Sequence, residues 1–341
     1  MKFSDVLDIR NGRSQRQVEN ATGKYPIYGS GGVMGRATDF ICDAGTVVIG
    51  RKGSINNPIF VDEPFWNVDT AFGLVAHKDV LLPKYLFYFC VNFDFEQLNT
   101  TVTIPSLTKA NLLQIEINVP DMDEQRHIVS VLDKICRLTD LQQQELHNLD
   151  QLVKSRFIEL FGDQTANPYG WQQTSIGACC TLKSGTSLPS DKENEGGAIP
   201  YVKVGDMNYP GNEQYITTSS RFVSEQTAGT GVFPVGTVVF PKRGGAIGTN
   251  KKRLTRLPIC ADLNVMGVTA GRRLTPQYLM AYFDTVDLGT LNNGSSVPQI
   301  NNKDIAPLLI CIPPMALQEQ FAAFVEQTDK SKLCGKMEVA A

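Results

Sequence analysis

The chain has 341 residues, 42% hydrophobic and 20% charged, a length beyond the ~250 residues at which single cores divide and a composition that excludes general disorder. No apolar run reaches the ~18 residues of a membrane helix, and the opening MKFSDVLDIR carries acids where a signal peptide would be apolar, so a soluble cytoplasmic protein is expected. The net charge of −3 gives no general reason for a polyanionic partner, although residues 164–315 carry thirteen bases against ten acids and residues 121–163 five bases against nine acids.

Tyr25-Pro26-Ile27-Tyr28 reads as a β segment ending in the flexible turn Gly29-Ser30-Gly31-Gly32. Thr46–Ile49 is a β-branched strand that runs directly into the basic turn Gly50-Arg51-Lys52-Gly53-Ser54. Leu81 to Phe93 reads as a short helix opened by a proline, and Thr100-Thr101-Val102-Thr103 follows as a polar loop. From Asp123 to about Phe161 there is neither Pro nor Gly. Ile128, Val131, Ile135, Leu138, Leu149 and Leu152 hold one heptad register, broken at Gln142 and Glu145. Such a helix would be ~58 Å long at ~1.5 Å per residue, and its stripe needs a partner helix.

The plan then repeats. Gly45-Thr46-Val47-Val48-Ile49 returns as Gly236-Thr237-Val238-Val239-Phe240, each followed by a basic, glycine-rich turn, the second being Lys242-Arg243-Gly244-Gly245. Gly73-Leu74-Val75-Ala76 pairs with Gly267-Val268-Thr269-Ala270, and Pro83-Lys84-Tyr85-Leu86 with Pro276-Gln277-Tyr278-Leu279. Ile104-Pro105-Ser106-Leu107 pairs with Val297-Pro298-Gln299-Ile300, and Gln125 with Gln318. Matches in one order at an offset near 193 residues identify a tandem duplication. Two α+β domains are expected, at 1–120 and 164–315, with helices at 121–163 and 316–341. The second helix, Leu317 to about Lys336, is roughly half as long as the first. The heptad continues poorly there, so Leu146, Leu149, Leu152 and Phe157 are expected to form an uncovered stripe that binds a partner subunit or a second copy.

Catalytic constellations are scarce. His127 and His147 fall on the polar side of the long helix, and His77 has no ligand at metal spacing. There is no GxxxxGK[ST] loop, Met34 replaces the last glycine of a dinucleotide fingerprint, and Asn167-Pro168-Tyr169 lacks a second proline and any preceding nucleotide-binding pattern. The basic turns are more informative. Arg51, Lys52 and Ser54 in one copy, and Lys242 and Arg243 in the other, project donors suited to phosphates and guanine edges. Lys251 continues the second cluster. Tyr28 and Arg36 add to the first copy and Lys203 to the second. The polar loops containing Thr103 and Asn292–Ser296 supply side chains able to read bases. A two-site protein-interaction scaffold or a fused DNA methyltransferase would account for parts of this pattern.

Across nearly its whole length the chain resembles the specificity (S) subunit of type I restriction-modification systems. The likeness rests on the duplicated layout and on Val119-Pro120 through Glu124-Gln125-Arg126-His127-Ile128 opening the long helix. It rests also on Phe157-Ile158-Glu159-Leu160-Phe161-Gly162-Asp163 closing it and on Asn167-Pro168-Tyr169-Gly170-Trp171 beyond. The resemblance implies two target-recognition domains, each reading one half of an asymmetric, split double-stranded DNA target. It implies antiparallel helices that set the gap and dock methyltransferase subunits, which recruit restriction (translocase-nuclease) subunits. It implies a non-catalytic chain without cofactors, with S-adenosylmethionine, ATP and Mg²⁺ on the partners. DNA contacts are then expected at Arg51, Lys52, Lys203, Lys242 and Arg243 and near Thr103 and Ser296.

Overall fold

The computed structural model describes residues 1–99, 104–194, 196–291 and 297–340, and the chain divides into two units, Met1–Leu141 and Gln142–Ala341. In the first, α1 (Phe3–Val6) leads into β1 (Leu7–Asn11), and β2 (Tyr25–Gly29) and β3 (Gly32–Ala37) form a hairpin. Then come β4 (Thr46–Gly50), β5 (Ile59–Val61), β6 (Trp66–Asn67), β7 (Ala71–Ala76), α2 (Pro83–Asn92), α3 (Lys109–Leu112) and the first half of α4 (Met122–Phe161). One sheet has the order β1-β7-β4-β5 and is antiparallel; the other has the order β3-β2-β6, with β2 and β6 parallel. Every residue of β4 is buried. Val47 and Ile49 enter a core with Phe3, Leu74, Leu86 and Phe95, whereas Val48 joins Cys42, Val61 and Phe65 on the opposite face. Alternating side chains with both faces covered require the uninterrupted β-branched run seen in the sequence.

The second unit contains the rest of α4, then β8 (Gln172–Ser175), α5 (Ile176–Cys179), β9 (Cys180–Ser184), β10 (Ile199–Val202), β11 (Tyr215–Ile216), β12 (Phe222–Val223) and α6 (Glu225–Ala228). It continues through β13 (Thr237–Pro241), β14 (Arg253–Thr255), β15 (Cys260–Ala261), β16 (Val265–Ala270), α7 (Pro276–Thr285), α8 (Asn302–Ile305), β17 (Leu309–Ile312) and α9 (Met315–Ala340). Its larger sheet, β11-β14-β13-β16-β9, repeats the first unit's order with β11 added at one edge, and β12-β10-β15 repeats β3-β2-β6. Val238 and Phe240 face one cluster and Val239 another, as their counterparts do. Gly73 and Gly267 also correspond. A β-carbon on Gly73 would lie 2.6 Å from Cys42 Sγ, and one on Gly267 2.5 Å from the Phe233 ring, so each sheet needs glycine where a neighbour packs over it.

A buried glutamine locks the start of each long helix. Gln125 Nε2 donates to the carbonyls of Val80 and Pro120, both at 2.9 Å, and its Oε1 accepts from Leu82 N at 2.8 Å. Gln318 does the same with Arg273 (3.0 Å), Pro313 (2.9 Å) and Thr275 N (2.9 Å). In the first unit Asp133 adds a clamp to α2, bonded by Lys84 Nζ at 2.8 Å and Tyr88 Oη at 2.6 Å.

The expected uncovered stripe is corrected. Within the second unit the start of α9 meets the end of α4: the Phe157 and Phe321 rings are 5.6 Å apart, and Lys332 Nζ lies 2.6 Å from Asp150 Oδ1 further along. This pairing is antiparallel. Phe157 is 2% exposed, packed among Phe161, Tyr278 and Phe321. Leu146 and Leu149 are half-buried, and Leu152 remains exposed. The continuous apolar stripe left on α4 lies in the first unit, at Val131, Ile135, Leu138 and Leu141. Residues that correspond between copies are not those that touch, because antiparallel helices join the start of one to the end of the other. The polar end of α9 has partners of its own: Asp329 accepts from Tyr215 Oη and pairs with Arg256 at 3.3 Å.

Candidate nucleic-acid interface

Each unit carries one basic turn, held in the same way in both. In the first unit Arg51 N donates to Thr70 O (2.8 Å), Leu107 N to Arg51 O (2.9 Å) and Gly53 N to Pro105 O (3.0 Å). In the second, Lys242 N donates to Asn264 O (2.8 Å), Ile300 N to Lys242 O (2.9 Å) and Gly244 N to Pro298 O (2.8 Å). Isolated β-bridges join Lys52 to Ser106 and Arg243 to Gln299. The turn is thus fixed between two segments, 68–70 and 105–107 in one unit, 262–264 and 298–300 in the other. Gly53 and Gly244 adopt φ of +84° and +73°, in the left-handed region that favours glycine.

The same stitching brings in the strand beside each turn. Val68 N donates to Tyr28 O and Asp262 N to Val202 O, both at 2.9 Å, so β2 and β10 end beside their basic turns. In the first unit the hairpin tip seats on the turn. A β-carbon on Gly50 would lie 3.1 Å from Ser30 Cβ and 2.2 Å from Ser54 O. Arg51, Lys52 and Ser54 are exposed, with the Arg51 guanidinium over the Phe72 ring at 5.7 Å. Arg51 borders a depression of about 320 Å³ lined also by Asn11, Ser106, Thr108 and Lys109. Lys109, whose Nζ donates to Ile9 O at 3.0 Å, is a cation that no motif marked, since it reaches the site only through folding.

The remaining predicted contacts divide. Arg243 is exposed. Lys242 is half-buried with Nζ on Ser184 Oγ at 3.0 Å, and burial, then Arg243, depresses its ammonium pKa. Lys203 sits at the end of β10, but its Nζ is 2.6 Å from Glu193 Oε2, a carboxylate that Arg221 also approaches at 3.6 Å. Its charge is largely neutralised within the unit. Lys251 Nζ is bonded to Asn208 Oδ1; the next two cations are structural, Lys252 Nζ reaching Val286 O (2.7 Å) and Arg253 reaching the Lys252 carbonyl (2.8 Å). Tyr28 is half-buried at the end of β2: its ring meets Phe65 edge-on at 5.3 Å, and burial raises its hydroxyl pKa. Arg36 is exposed with Nε on Gly23 O (2.9 Å), four residues along β3 from Gly32 and so ~13 Å from the hairpin tip at ~3.3 Å per residue. The structure does not bring it to the basic turn. Thr103 and Ser296 lie outside the described residues.

Among the described residues no group of three or more His, Cys, Asp or Glu side chains is placed to hold a metal ion, and no helix is long and apolar enough to cross a membrane. What the sites offer is two cationic turns, each in a rigid frame, with unlike side chains around them.

Residues 1–151 and 168–334 match the protein family described as type I restriction modification DNA specificity domain. The chain is 21% identical over 305 residues to the type I restriction enzyme MjaIX specificity subunit of Methanocaldococcus jannaschii, covering 82% of this chain and 68% of that protein. Its fold is similar to a crystal structure of the S subunit of a type I restriction-modification system from M. genitalium. The TM-score is 0.66 at 16% identity, over 100% of this chain and 91% of that one. A chain from a structure of complex assembly and conformational transition in the type I R-M system is similar at TM-score 0.58 and 18% identity, over 100% and 92%.

Proposed function

The chain belongs to the type I restriction modification DNA specificity family, and from that membership we propose that each of its two units reads one half of a split, asymmetric DNA target. It is a specificity subunit and not itself an enzyme. The observation that carries the two-site reading is the pair of basic turns stitched by the same hydrogen bonds into two units whose exposed side chains differ. An identical frame with Arg51-Lys52 and Ser106 in one unit, and Lys242-Arg243 and Gln299 in the other, gives similar phosphate affinity and different base contacts.

In this reading the cations at Arg51, Lys52 and Arg243 grip the duplex. The long helices set the unread gap. Methyltransferase subunits dock on the exposed stripe Val131, Ile135, Leu138 and Leu141 of α4, in place of the stripe around Phe157, and restriction subunits join through them. S-adenosylmethionine, ATP and Mg²⁺ are held by those partners, and the complex works in the cytoplasm.

Co-expression with a methyltransferase subunit, followed by single-molecule sequencing of methylated adenines in host DNA, tests the proposal. Two unlike half-sites separated by a fixed gap are expected. A complex that forms yet methylates a palindrome, or adenines without sequence preference, overturns it.

A further inference from the structure

Ile104 and Val297 occupy one station in the two units. Each immediately precedes the proline whose carbonyl accepts the glycine N–H of the basic turn, Gly53 to Pro105 at 3.0 Å and Gly244 to Pro298 at 2.8 Å. Both are exposed, at 60% and 51%. A single exposed aliphatic side chain is ordinary. The same one at the same station twice is less so, because its surroundings differ: Ser106 against Gln299, Arg51 against Lys242. A branched aliphatic group has been retained where the adjoining surface is otherwise cationic or polar.

Resting on the DNA-reading function above, we propose that Ile104 and Val297 each contact the 5-methyl group of a thymine in the major groove, one in each half-site. The cations beside them bring the station to a polyanion. Phosphates, sugars and the hydrogen-bonding edges of bases are all polar, and the thymine methyl is the apolar feature that the major groove displays. The contact therefore selects a T·A pair at one position of each half, in a direction that hydrogen-bond donors cannot supply.

The test uses the full chain, purified with a co-expressed methyltransferase, on synthetic duplexes bearing its methylation sequence. Thymines are replaced one at a time by uracil, which removes the methyl and leaves base pairing unchanged. One replacement in each half is expected to weaken binding roughly three- to fivefold, the value of a buried methyl-sized group. Ile104→Ser should abolish that discrimination in one half only, and Val297→Ser in the other only. Half-sites without a T·A pair, tolerance of uracil at every position, or discrimination that survives both substitutions would each overturn the inference. Equal weakening of thymine and uracil duplexes by Ile104→Ser would also overturn it, since that pattern marks a backbone or wedge contact. Failure of the complex to select any sequence is a different outcome: it removes the DNA-reading function of the turns, and this inference with it.

Discussion

Gln125 and Gln318 each satisfy one amide and two carbonyls at the mouth of a long helix, with no exposed surface of their own. Replacing either by alanine strands those backbone groups, at a cost of about 2–4 kcal/mol. Gln125→Ala is expected to accelerate hydrogen exchange around Leu82 and the start of α4, and Gln318→Ala around Thr275 and α9. Each should act in its own unit alone. The charged residues separate in a comparable way. Arg51→Ala should weaken DNA binding and lower the salt dependence of affinity by about one if it meets a phosphate; if it reads a base, it should relax one half-site at about 1–3 kcal/mol. Lys203→Ala should change the salt dependence little, because Glu193 already accompanies that ammonium. Titrating affinity against salt for the two variants decides between these expectations.

The long helices contribute different faces to the two units. Phe157→Ala should destabilise the second unit by about 3–5 kcal/mol, because its ring fills the space between Tyr278 and Phe321, while Leu152→Ala at an exposed position should cost less than about 0.5 kcal/mol. Denaturant melts of the two variants measure the difference. The contact of α2 with α4 responds to acid. The Lys84 ammonium, and then the Tyr88 hydroxyl, hold the Asp133 carboxyl below its ordinary value of 3.8. The unfolded chain therefore takes up the proton first, and the stabilisation present above that value disappears as pH falls through the depressed one. Both partners are more than one-third exposed, so about 1 kcal/mol or less is involved. The protection factors of α2 amides, corrected for the intrinsic rate at each pH, should fall below about pH 4 in the native chain and show no such step in Asp133→Asn. The heptad of α4 made its existence legible in the sequence, down to the stop at Gly162. The covered part follows from the antiparallel direction that the resemblance implies, which sets the start of α9 against the end of α4. The expected uncovered stripe was misplaced because it was aligned by the 193-residue offset, which matches starts with starts. Thr328 and Ser331 mark where the second helix exchanges apolar contacts for the polar ones around Asp329.

At the scale of the whole chain, the duplication was readable because it leaves its mark where geometry is least tolerant. Glycines at positive φ (Gly45 with Gly236, Gly53 with Gly244), the glycines under Cys42 and Phe233, and the helix-opening prolines survive while most other positions diverge. The basic turns were readable for the same reason. What the sequence left open were the tertiary assignments. Lys203 reads as a free cation until Glu193 folds against it, and Lys109 has no signature at all. Exchanging residues 1–120 for the corresponding segment of another specificity subunit is expected to change one half of the methylated motif and leave the other half and the gap intact. Sequencing methylated adenines in the recipient cells measures this, and a change in both halves would count against independent reading.

The paired glutamine locks have a consequence for heredity as well as for stability. Both seams present one proline carbonyl, one carbonyl and one amide from the loop before a helix, and one glutamine to receive all three. A crossover between the two copies at these seams would exchange one domain for the other without altering the joint, so the chain is built as two cassettes on one connector.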